Sequence, residues 1–441
     1  MKSTQRPTAR GSMRPYTAYY SVSGWNQIQT DSGRCHDKVL EGNQRAKFAI
    51  VGAGFAGAAT ARRLAELYPG EEIILLDALP AGEGAAGRSS GFMLDRVETK
   101  IDARNTGPQA DWQTAILQAG LGWLKQTTSG HGIDCDWHDI GHYKTSTTLQ
   151  GARELDGLLA RLDSKGISYR RLSSQDIGDE MGTAHCTNGV WLPNCVLVQP
   201  ARLIHGLLST LPEQVKVYTK SPVDRIAMGN PHTLHVGPHE IKADVVILCT
   251  NVTLPFFGYG GDRQLTVYTY AGMTPELDDV EMAKLGMGAT WGATPVERLG
   301  ATTRKLTSRR FLFRTGFSYK NELPPAEIGT VLREMYSKHF PQMKNHTFEY
   351  SWGGALSMTR NGDPIFGKMA RNVYALSACN ASGILKMTAL GKLLAESIKG
   401  VDSALLQDTE RFSKPSWIPP EPLRSIGVSF NLSRMKKAMR S

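Results

Sequence analysis

The stretch of residues 47–77 constrains this chain more than any other part of its sequence. A short apolar run at 48–51 is typical of a buried parallel strand, and an apolar helical stripe follows at 55–68. A second apolar run at 73–76 ends in Asp77. This succession predicts a strand–helix–strand unit with a tight turn at the end of its first strand.

That turn carries three glycines in the spacing G-x-G-x-x-G, at Gly52, Gly54 and Gly57. Such glycines allow, in order, a tight turn, close approach of the backbone to a pyrophosphate, and packing of the helix against the strand. The N–H groups at the helix start attract phosphates, and an acid about twenty residues beyond the last glycine accepts hydrogen bonds from a ribose. The unit therefore predicts a dinucleotide site that contains Gly52, Gly54, Phe55, Ala56, Gly57, Asp77 and Ala78. The alternative is a tight strand–helix turn without a ligand.

The overall composition is that of an ordinary globular protein. Of the 441 residues, 41% are hydrophobic and 21% are charged, and the chain is long enough for two domains. The formal net charge is +10, but the basic residues are scattered until the C-terminus, so we predict no nucleic-acid partner. No apolar run approaches the length of a membrane span, so we predict no membrane partner either.

The cysteines and the N-terminus bear on where the protein works. None of the six cysteines belongs to a C-x-x-C pair or to a metal-ligand pattern. We therefore expect reduced cysteines, no bound metal and a cytoplasmic location. The N-terminal residues lack an apolar core, so we expect no signal peptide, and Met13 is a candidate for the native start.

A loop of glycine and other small residues at 81–91 would let a ligand lie against the backbone. Its part from 84 to 91 resembles the segment G-A-S-G-R-N-G-G of the D-amino acid oxidase-like flavoproteins. The likeness is greatest to their γ-glutamylputrescine oxidase branch, which residues 19–21 (Y-Y-S) and 135–143 also resemble. The sequence departs from the family pattern at Ala86, Ser89 and Ser90.

The C-terminal part resembles the flavin-binding end of the same family, W-x-G … D-x-x-P-x-x-G … N-V-Y … G-H-G followed by a helix. The family's G-H-G is Ala381-Ser382-Gly383 here, so its histidine is missing. The resemblance covers most of residues 19–400. It implies contact with FAD, in addition to the residues named above, for Gly84, Ala86, Gly87, Arg88, Ser89, Ser90, Gly91, Val223, Thr250, Asn251, Gly354, Asp363, Ser382, Gly383, Ile384, Leu385 and Lys386.

The implied fold is α/β, with a Rossmann-like FAD-binding domain and an interleaved, mostly antiparallel β-sheet substrate domain. We expect a solvated C-terminal tail that packs loosely on the first domain and carries the basic residues Arg434, Lys436, Lys437 and Arg440. The expected division is an N-terminal extension (1–44), FAD-binding segments (45–105, 199–258 and 350–400), substrate-domain segments (106–198 and 259–349) and the tail (401–441).

Two predicted strands supply candidates for substrate contact. In 264–273, Tyr268 and Tyr270 share one face of the strand. In 309–320, alternation places four aromatic residues on one face and two arginines on the other, because successive side chains point to opposite sides. Guanidinium groups need solvent or anions, so one of the arginines is expected to contact the substrate. The alternative is a solvated or salt-bridged face. The two faces consist of Phe311, Phe313, Phe317 and Tyr319, and of Arg310, Leu312 and Arg314.

Lys386 is the remaining candidate catalytic residue. It falls in the first turn of the helix that begins near Gly383, where a cation opposes the helix dipole. We expect it to pair with the reduced flavin or with a substrate carboxylate. The alternative is a lysine that extends to the surface.

The resemblance implies oxidation of the C–N bond of an amine or amino acid to an imine, which water then hydrolyses. Hydride would pass to flavin N5, and reoxidation by O2 would give H2O2. Backbone N–H groups at the start of the helix that contains Ile384 suit the negative charge near flavin N1 and O2. Two alternatives stay open: an amine dehydrogenase with another electron acceptor, and a non-catalytic flavin-binding protein. Neither the substrate nor the oligomeric state follows from the sequence.

Overall fold

The computed structural model describes residues 14–29, 34–97 and 109–438. Three predictions fall outside the described residues: the native start at Met13, the domain boundary between 105 and 106, and the basic side chain of Arg440. The side chains of Lys436 and Lys437 are also outside the description, although their backbone is helical.

The described residues form three sheets. Their strands, in chain order, are β1 (Gln44–Val51), β2 (Ile73–Leu76), β3 (Phe92–Leu94), β4 (His138–Asp139), β5 (His142–Ser146), β6 (Arg170–Leu172), β7 (Asn188–Leu192), β8 (Cys195–Leu197), β9 (Val215–Tyr218), β10 (Arg225–Ala227), β11 (His232–Val236), β12 (His239–Leu248), β13 (Gln264–Met273), β14 (Trp291–Pro295), β15 (Thr302–Lys305), β16 (Phe311–Tyr319), β17 (Tyr350–Thr359), β18 (Ile365–Ala370) and β19 (Val373–Ser377).

Helices cover the sheets and connect them. Short 3₁₀ segments occur at Ala85–Arg88, Asn251–Phe257 and Pro341–Met343. The α-helices are α1 (Gly24–Gln27), α2 (Phe55–Leu67), α3 (Gln109–Gly130), α4 (Leu149–Asp163), α5 (Ser174–Met181), α6 (Pro200–Ser209), α7 (Asp279–Ala283), α8 (Pro325–His339), α9 (Gly383–Lys399), α10 (Ala404–Thr409) and α11 (Leu423–Ala438). Among the described helices, none combines the length and apolar character that crossing a membrane requires.

The first sheet contains five parallel strands in the order β19–β12–β1–β2–β9. The antiparallel strands β10, β11 and β18 extend it. Both of its faces are buried: Phe48 and Ile50 pack toward α2, α3, α6 and α9, whereas Ala49 and Val51 pack on the opposite side. Burial on both faces explains the continuous apolar runs that the sequence shows in β1 and β2.

The second sheet has the order β17–β13–β16–β15–β14–β5–β7–β6 and is antiparallel except between β14 and β5. Helix α8 packs on one face, against Tyr270 and Phe313. A small third sheet has the order β3–β8–β4. The chain turns after Leu192, so that β7 belongs to the second sheet and β8 to the third.

The predicted faces of β16 are also wrong in part. Phe311 and Phe313 join Tyr268 and Tyr270 in one core cluster, as alternation requires. However, Thr315 pairs with Tyr270 and Phe317 pairs with Thr269, so Gly316 is an extra residue in the ladder. Its φ of +74° fits a bulge, which shifts the alternation by one residue. Phe317 and Tyr319 therefore lie on the face of Arg314, and the guanidinium carbon of Arg314 lies 5.5 Å from the Phe317 ring centre.

The C-terminal tail agrees with the expectation in part. It contains two helices: α10 packs on α9 and α3 beside the first sheet, whereas α11 contacts β16 of the second sheet. Glu421, just before α11, pairs with Lys320 at 2.7 Å and accepts a hydrogen bond from Tyr319. Exposed apolar side chains on α11 include Leu423, Ile426 and Phe430.

Apart from Gln44, the first residue of β1, the strands of the first sheet fall within the three predicted FAD-binding segments. One strand of the last segment does not follow this division, since β17 pairs with β13 of the second sheet. The chain thus passes several times between the two sheets. The division into domains remains a prediction.

Candidate active site

A cavity opens where the parallel strands β1, β2, β12 and β19 end. Carboxyl ends of parallel strands meet at one sheet edge, so segments far apart in sequence converge there. The cavity wall contains Val51, Leu376 and Cys249, which stand at or next to these ends. Of the residues predicted to bind the cofactor, those that line the cavity are Gly52, Gly54, Phe55, Ala56, Asp77, Ala78, Gly84, Ala86, Ser89, Val223, Thr250, Asn251, Gly383 and Ile384.

The three glycines of the first turn have different surroundings. Gly52 has a φ of +105°, and a Cβ there would lie 2.4 Å from the carbonyl oxygen of Cys249. A Cβ on Gly57 would lie 1.9 Å from the carbonyl oxygen of Gly52. A Cβ on Gly54 would meet only the Cβ of Ala86, at 3.8 Å, on the cavity side. Gly52 and Gly57 are therefore required by the protein's own packing, whereas Gly54 keeps space open in the cavity.

The Asp77 carboxylate is fixed at the end of β2. Its Oδ2 accepts a hydrogen bond from the N–H of Ala53 (2.8 Å) and its Oδ1 accepts one from Leu79 (2.9 Å). Burial raises the pKa of Asp77, and these N–H groups act in the opposite direction. Because carboxylate oxygens have further lone pairs, this geometry fits acceptance of a hydrogen bond from a ribose hydroxyl.

Several polar atoms in the cavity wall have no partner among the described residues. They are Thr250 Oγ1, Asn251 Oδ1 and Ser89 Oγ, all of them buried. Buried polar groups in proteins are ordinarily hydrogen-bonded, so three such atoms in one wall indicate a polar ligand. The residues present thus fit a long molecule with a diphosphate and several hydroxyl groups, as FAD has.

The turn before α9 closes the opposite side of the cavity. Ala378, Asn380 and Ala381 have φ values of +63°, +50° and +64°, a region that non-glycine residues rarely adopt. Ser382, at the N-cap position of α9, provides no side-chain cap. The first N–H groups of α9 are thus free of a capping side chain beside the cavity, where Gly383 and Ile384 form part of the wall.

Asn380 holds this turn in place, and the sequence analysis did not assign it a role. Its Oδ1 accepts a hydrogen bond from the N–H of Thr359 (2.8 Å), and its Nδ2 donates to the carbonyl oxygens of Gly362 (2.8 Å) and Ala378 (3.0 Å). The side chain therefore joins β17, the loop after it and the start of α9. Its position in a sharp turn directly before a helix was the signal in the sequence.

The left-handed conformation of Ala381 leads to a first prediction. Left-handed φ costs a residue with a Cβ about 1–2 kcal/mol, and glycine avoids this cost. We expect Ala381→Gly to raise the free energy of unfolding by up to about 1 kcal/mol, after the added freedom of the unfolded chain is subtracted. Urea unfolding measures this change. The control Ala152→Gly, inside α4, should lower stability by about 1 kcal/mol. Equal losses at both positions would contradict the argument.

The N-terminal segment also contributes to the cavity. Pro15, Tyr16, Thr17 and Tyr19 line it, although the sequence analysis placed no site residue before position 52. The hydroxyl of Tyr19 accepts a hydrogen bond from the N–H of Ala355, another cavity residue (3.4 Å). The signal in the sequence was the Y-Y-S stretch within the family resemblance.

Arg88 is buried beside the cavity but is absent from its wall. Its guanidinium donates to the carbonyl oxygens of Glu83 (2.8 Å), Gly353 (3.0 Å) and Ser21 (2.7 Å), and pairs with the Glu83 carboxylate at 2.8 Å. The Tyr19 ring centre lies 3.7 Å from the guanidinium carbon. Arg88 therefore links the N-terminal segment, the glycine-rich loop and β17.

Other predicted site residues lie outside the cavity wall, in different surroundings. Arg310 donates to the carbonyl oxygen of Thr274 and forms an ion pair with Glu349. Tyr270 bonds the Ser318 hydroxyl at 2.5 Å and accepts from the N–H of Leu323. The predicted residues not found in the wall are Gly57, Gly87, Arg88, Ser90, Gly91, Gly354, Asp363, Ser382, Leu385, Lys386, Arg310, Arg314, Tyr268 and Tyr270.

Tyr268 and Lys386 are two of the predicted residues outside the cavity wall. The ring of Tyr268 lies edge-on to the ring of Tyr19, with the ring centres 6.5 Å apart. Tyr268 therefore packs against a residue of the cavity wall without lining the cavity itself. Lys386 is half-buried, and desolvation lowers the pKa of its ammonium group, while Cys379 and Asp363 oppose the shift. The structure does not bring Lys386 into the cavity, and a direct contact with substrate or flavin stays a prediction.

Arg314 is a half-buried cation of the second sheet on the face toward the cofactor cavity. It shares its sheet face with Trp352, whose indole N–H donates to the carbonyl oxygen of Arg88, and with Leu356 of the cavity wall. Its guanidinium donates to Thr302 Oγ1 (3.3 Å), and no carboxylate among the described residues pairs with it. Burial alone lowers the pKa of Arg314 to about 10.

Comparisons with known proteins agree with this geometry. The family model of the FAD-dependent oxidoreductases called DAO matches residues 47–397. The chain is 23% identical over 404 residues to the γ-glutamylputrescine oxidoreductase of Escherichia coli, covering 86% of this chain and 89% of that protein. It is 24% identical over 379 residues to the probable oxidoreductase OrdL of Haemophilus influenzae, covering 82% and 85% of the two chains.

Solved structures confirm the predicted fold class. Glycine oxidase from Geobacillus kaustophilus superposes with a TM-score of 0.70 at 17% identity, covering 82% of this chain and 96% of that chain. NikD, described as an unusual amino acid oxidase, superposes with a TM-score of 0.67 at 12% identity, covering 86% and 99%. Since the family model also matches well over half of the 441 residues and the cavity fits FAD, the chain belongs to the DAO family of FAD-dependent oxidoreductases.

Proposed function

We propose that this protein is an FAD-dependent oxidase that converts the C–N bond of an amine or amino acid to an imine, which water then hydrolyses. The observation that carries the proposal is a single cavity lined at one end by the Gly52–Asp77 unit and at the other by the start of α9. Relatives support the choice of a C–N bond, since their names include a γ-glutamylputrescine oxidoreductase and a glycine oxidase.

The residues of the cavity wall divide into two sets. The diphosphate and the adenosine ribose of FAD would be held by Gly52, Gly54 and Asp77, together with Val223, which follows β9 in the chain. The residues that would surround the flavin ring system are Ala86, Ser89, Ala355, Leu356, Ala381, Gly383 and Ile384. When bound, FAD supplies the acceptor for the hydride, at N5, and is reoxidised by O2 with release of H2O2.

The chain contributes electrostatic stabilisation through α9. Its first N–H groups carry the positive end of the helix dipole, and no side chain caps them. Donors fixed in advance favour negative charge on a group beside them without a reorganisation cost during the reaction. This part of the site would therefore favour an anionic reduced cofactor and assist removal of hydride from the substrate.

Arg314 is the residue that we assign to substrate recognition. A half-buried guanidinium without a carboxylate partner is incompletely compensated in a ligand-free protein. The sheet face of Arg314 is the face that carries Leu356 into the cavity wall. An anionic group on the substrate would supply the missing partner, and the planar guanidinium suits a carboxylate. Of the two predicted arginines, Arg310 already has Glu349 and Glu276 as partners.

An anaerobic screen tests the proposed function directly. Purified holoprotein is mixed without oxygen with amines, amino acids and γ-glutamyl amides, and the flavin absorbance near the visible maximum is followed. Bleaching by at least one amine is expected, and readmission of air should restore the colour with oxygen uptake that catalase partly reverses. Failure of every amine to bleach the flavin would favour the non-catalytic alternative. Bleaching without oxygen uptake would favour a dehydrogenase with another acceptor.

The substrate role of Arg314 leads to a further prediction. We expect Arg314→Met to raise the KM of a carboxylate-bearing substrate by roughly 10- to 100-fold, because a charged hydrogen bond is lost. The FAD content should stay normal, and thermal stability should stay level or increase because a half-buried charge without a carboxylate partner is gone. Steady-state kinetics and thermal unfolding measure both effects. Arg310→Met is the matched control, whose expected cost is in stability and not in KM.

Two predictions from the sequence are retained as proposals. A cytoplasmic location rests on the cysteine pattern, and all six cysteines lie in the described residues as free thiols. A separate substrate domain rests on the second sheet. Neither affects the chemistry argued above.

A further inference from the structure

A second cavity, of about 510 Å³, lies between helices α2, α3 and α9 and is distinct from the FAD cavity. We call it the helix cavity. The wall residues that matter for the argument are Phe55, Arg62, Arg63, Trp123, Thr388 and Lys392. Neither the glycine motif nor the family resemblance assigns a role to this group of cations and its tryptophan.

Arg62 has only uncharged partners in direct contact. Its guanidinium donates to the carbonyl oxygen of Leu207 (3.2 Å) and to Thr210 Oγ1 (2.8 Å), and lies 3.2 Å from a ring nitrogen of His131. Burial lowers the pKa of Arg62, and the charge of Glu66 opposes this shift. The charge of Arg62 is therefore only weakly compensated within the described part of the chain.

Lys392 shares its nearest carboxylate with another cation. Its Nζ lies 3.8 Å from the ring centre of Trp123 and 3.9 Å from Oε1 of Glu396. The same carboxylate pairs with Arg63 at 2.8 Å, and Arg63 also pairs with Glu66 at 2.7 Å. Three cations thus meet two carboxylates, which leaves an excess of one positive charge at the helix cavity. Burial lowers the pKa of Lys392, as expected for an ammonium group with too little negative charge nearby.

Thr388 presents a free hydroxyl in the wall of the helix cavity. The residue is 7% exposed, and its Oγ1 is buried without a partner among the described residues. A helical threonine ordinarily bonds the carbonyl oxygen one turn earlier. Thr60 does so with Ala56 (2.8 Å) and Thr128 with Leu124 (2.9 Å). The Thr388 hydroxyl is instead available to a ligand, which is an observation independent of the cations.

We propose that the helix cavity is a binding site for a small organic anion of carboxylate or phosphate chemistry. Arg62, Lys392 and the Thr388 hydroxyl are its hydrogen-bond donors, and the Trp123 ring packs against its apolar part. This ligand class follows from the chemistry of the wall, which brings two incompletely compensated cations, one unused hydroxyl and an aromatic face into one cavity.

The helix cavity is also placed to influence the FAD cavity. Phe55, the first residue of α2, lines both cavities. Thr388 directly follows Met387, which lines the FAD cavity from the same helix. An anion that orders these residues should strengthen FAD retention, and bound FAD should strengthen anion binding by the same factor, because coupling between two sites is reciprocal. The inference does not depend on which amine the enzyme oxidises.

The test uses the holoprotein with inorganic phosphate and malonate as probes. Each is titrated at constant ionic strength, with sodium chloride as the balancing salt, and tryptophan fluorescence is recorded. We expect a saturable change from at least one probe, since the anion draws Lys392 away from the Trp123 ring. The probe that saturates distinguishes a phosphate ligand from a carboxylate ligand. No saturable change with either probe overturns the proposal.

Variants locate the binding. Thr388→Val keeps the shape of the side chain and Lys392→Met keeps most of its length, and we expect each to weaken binding by roughly tenfold. Lys338→Met, on the exposed face of α8, is the matched control and should bind as the unmodified protein does. Trp123→Phe should remove the fluorescence change. Equal affinity in Thr388→Val, Lys392→Met and the control would overturn the assignment, and circular dichroism checks that every variant is folded.

A second readout tests the coupling to FAD. The rate of FAD release is measured in mild urea, with and without the saturating probe. We expect the probe to slow release from the unmodified protein by a factor of about 5 or more, the usual lower size of allosteric coupling, and to have a clearly smaller effect on Lys392→Met at the same probe concentration. Equal protection of both proteins would show a general salt effect and overturn the coupling.

Discussion

Gly54→Val is expected to yield a folded protein that no longer retains FAD. A Cβ at this position meets only the Cβ of Ala86, at 3.8 Å, so the polypeptide itself tolerates a side chain there. The space that the valine would fill is the part of the cavity where the pyrophosphate must approach the backbone. We expect FAD binding to weaken by roughly 100-fold or more, about 3 kcal/mol, and the purified protein to be colourless.

The absorbance ratio at the flavin and protein bands measures retention, and circular dichroism measures folding. Gly178→Val, in α5, is the matched control, because a Cβ there has no neighbour within 4 Å and the residue lies far from the cavity in the second-sheet region. The Gly178→Val protein should retain FAD and therefore its colour. Gly57→Val should fail differently, by loss of folding, since its Cβ would lie 1.9 Å from a backbone oxygen. If Gly54→Val retains full flavin, the diphosphate does not lie at this turn.

Arg88→Met is expected to destabilise the fold strongly. The Arg88 and Glu83 side chains are 3% and 14% exposed, so removal of the cation leaves a mostly buried carboxylate without its partner. The loss from such a change is about 3–5 kcal/mol of unfolding free energy. The bonds from Arg88 to Ser21 and Gly353 are lost as well, so we also expect the N-terminal segment to become susceptible to proteolysis.

Chemical unfolding and limited proteolysis measure these two effects. The control is Arg171→Met, whose partner Asp156 is exposed and whose loss should cost about 0–1 kcal/mol. The double variant Arg88→Met with Glu83→Gln removes the unpaired charge, and it should be more stable than Arg88→Met alone. If the single and double variants lose equal stability, burial of the Glu83 charge is not the cause.

The sequence by itself determined the strand–turn–helix unit that begins with β1. The local features of this unit are its apolar runs, its three glycines and the end of the helical pattern at residue 68. The elements β1, α2 and β2 form where these features predict them. Such features succeed because strand and helix periods and the needs of a tight turn are set by neighbours within a few residues. The same reasoning named six residues that line the cavity but omitted Ala53 and included Gly57, which lies outside the wall.

Local alternation was insufficient in β16. The pattern predicted one aromatic face, yet Gly316 bulges against β13 and moves Phe317 to the face of Arg314. A bulge depends on the partner strand, which lies elsewhere in the sequence. Only the tertiary structure therefore decided that Arg314 stands beside an aromatic ring and lacks a carboxylate partner among the described residues.

The tertiary structure also decided which residues near the motif serve the cavity and which serve the fold. Arg88 resembled a cofactor residue, but it bonds Gly353, 265 residues away, and Tyr20 bonds Glu322, 302 residues away. Asn380 joins three segments, and its neighbours Ala378 and Ala381 adopt left-handed φ values that their sequence does not favour. Contacts between distant segments can override local preference because their combined free energy exceeds the 1–2 kcal/mol that such a conformation costs. Periodicity carries no record of those contacts, so they became visible only in the folded chain.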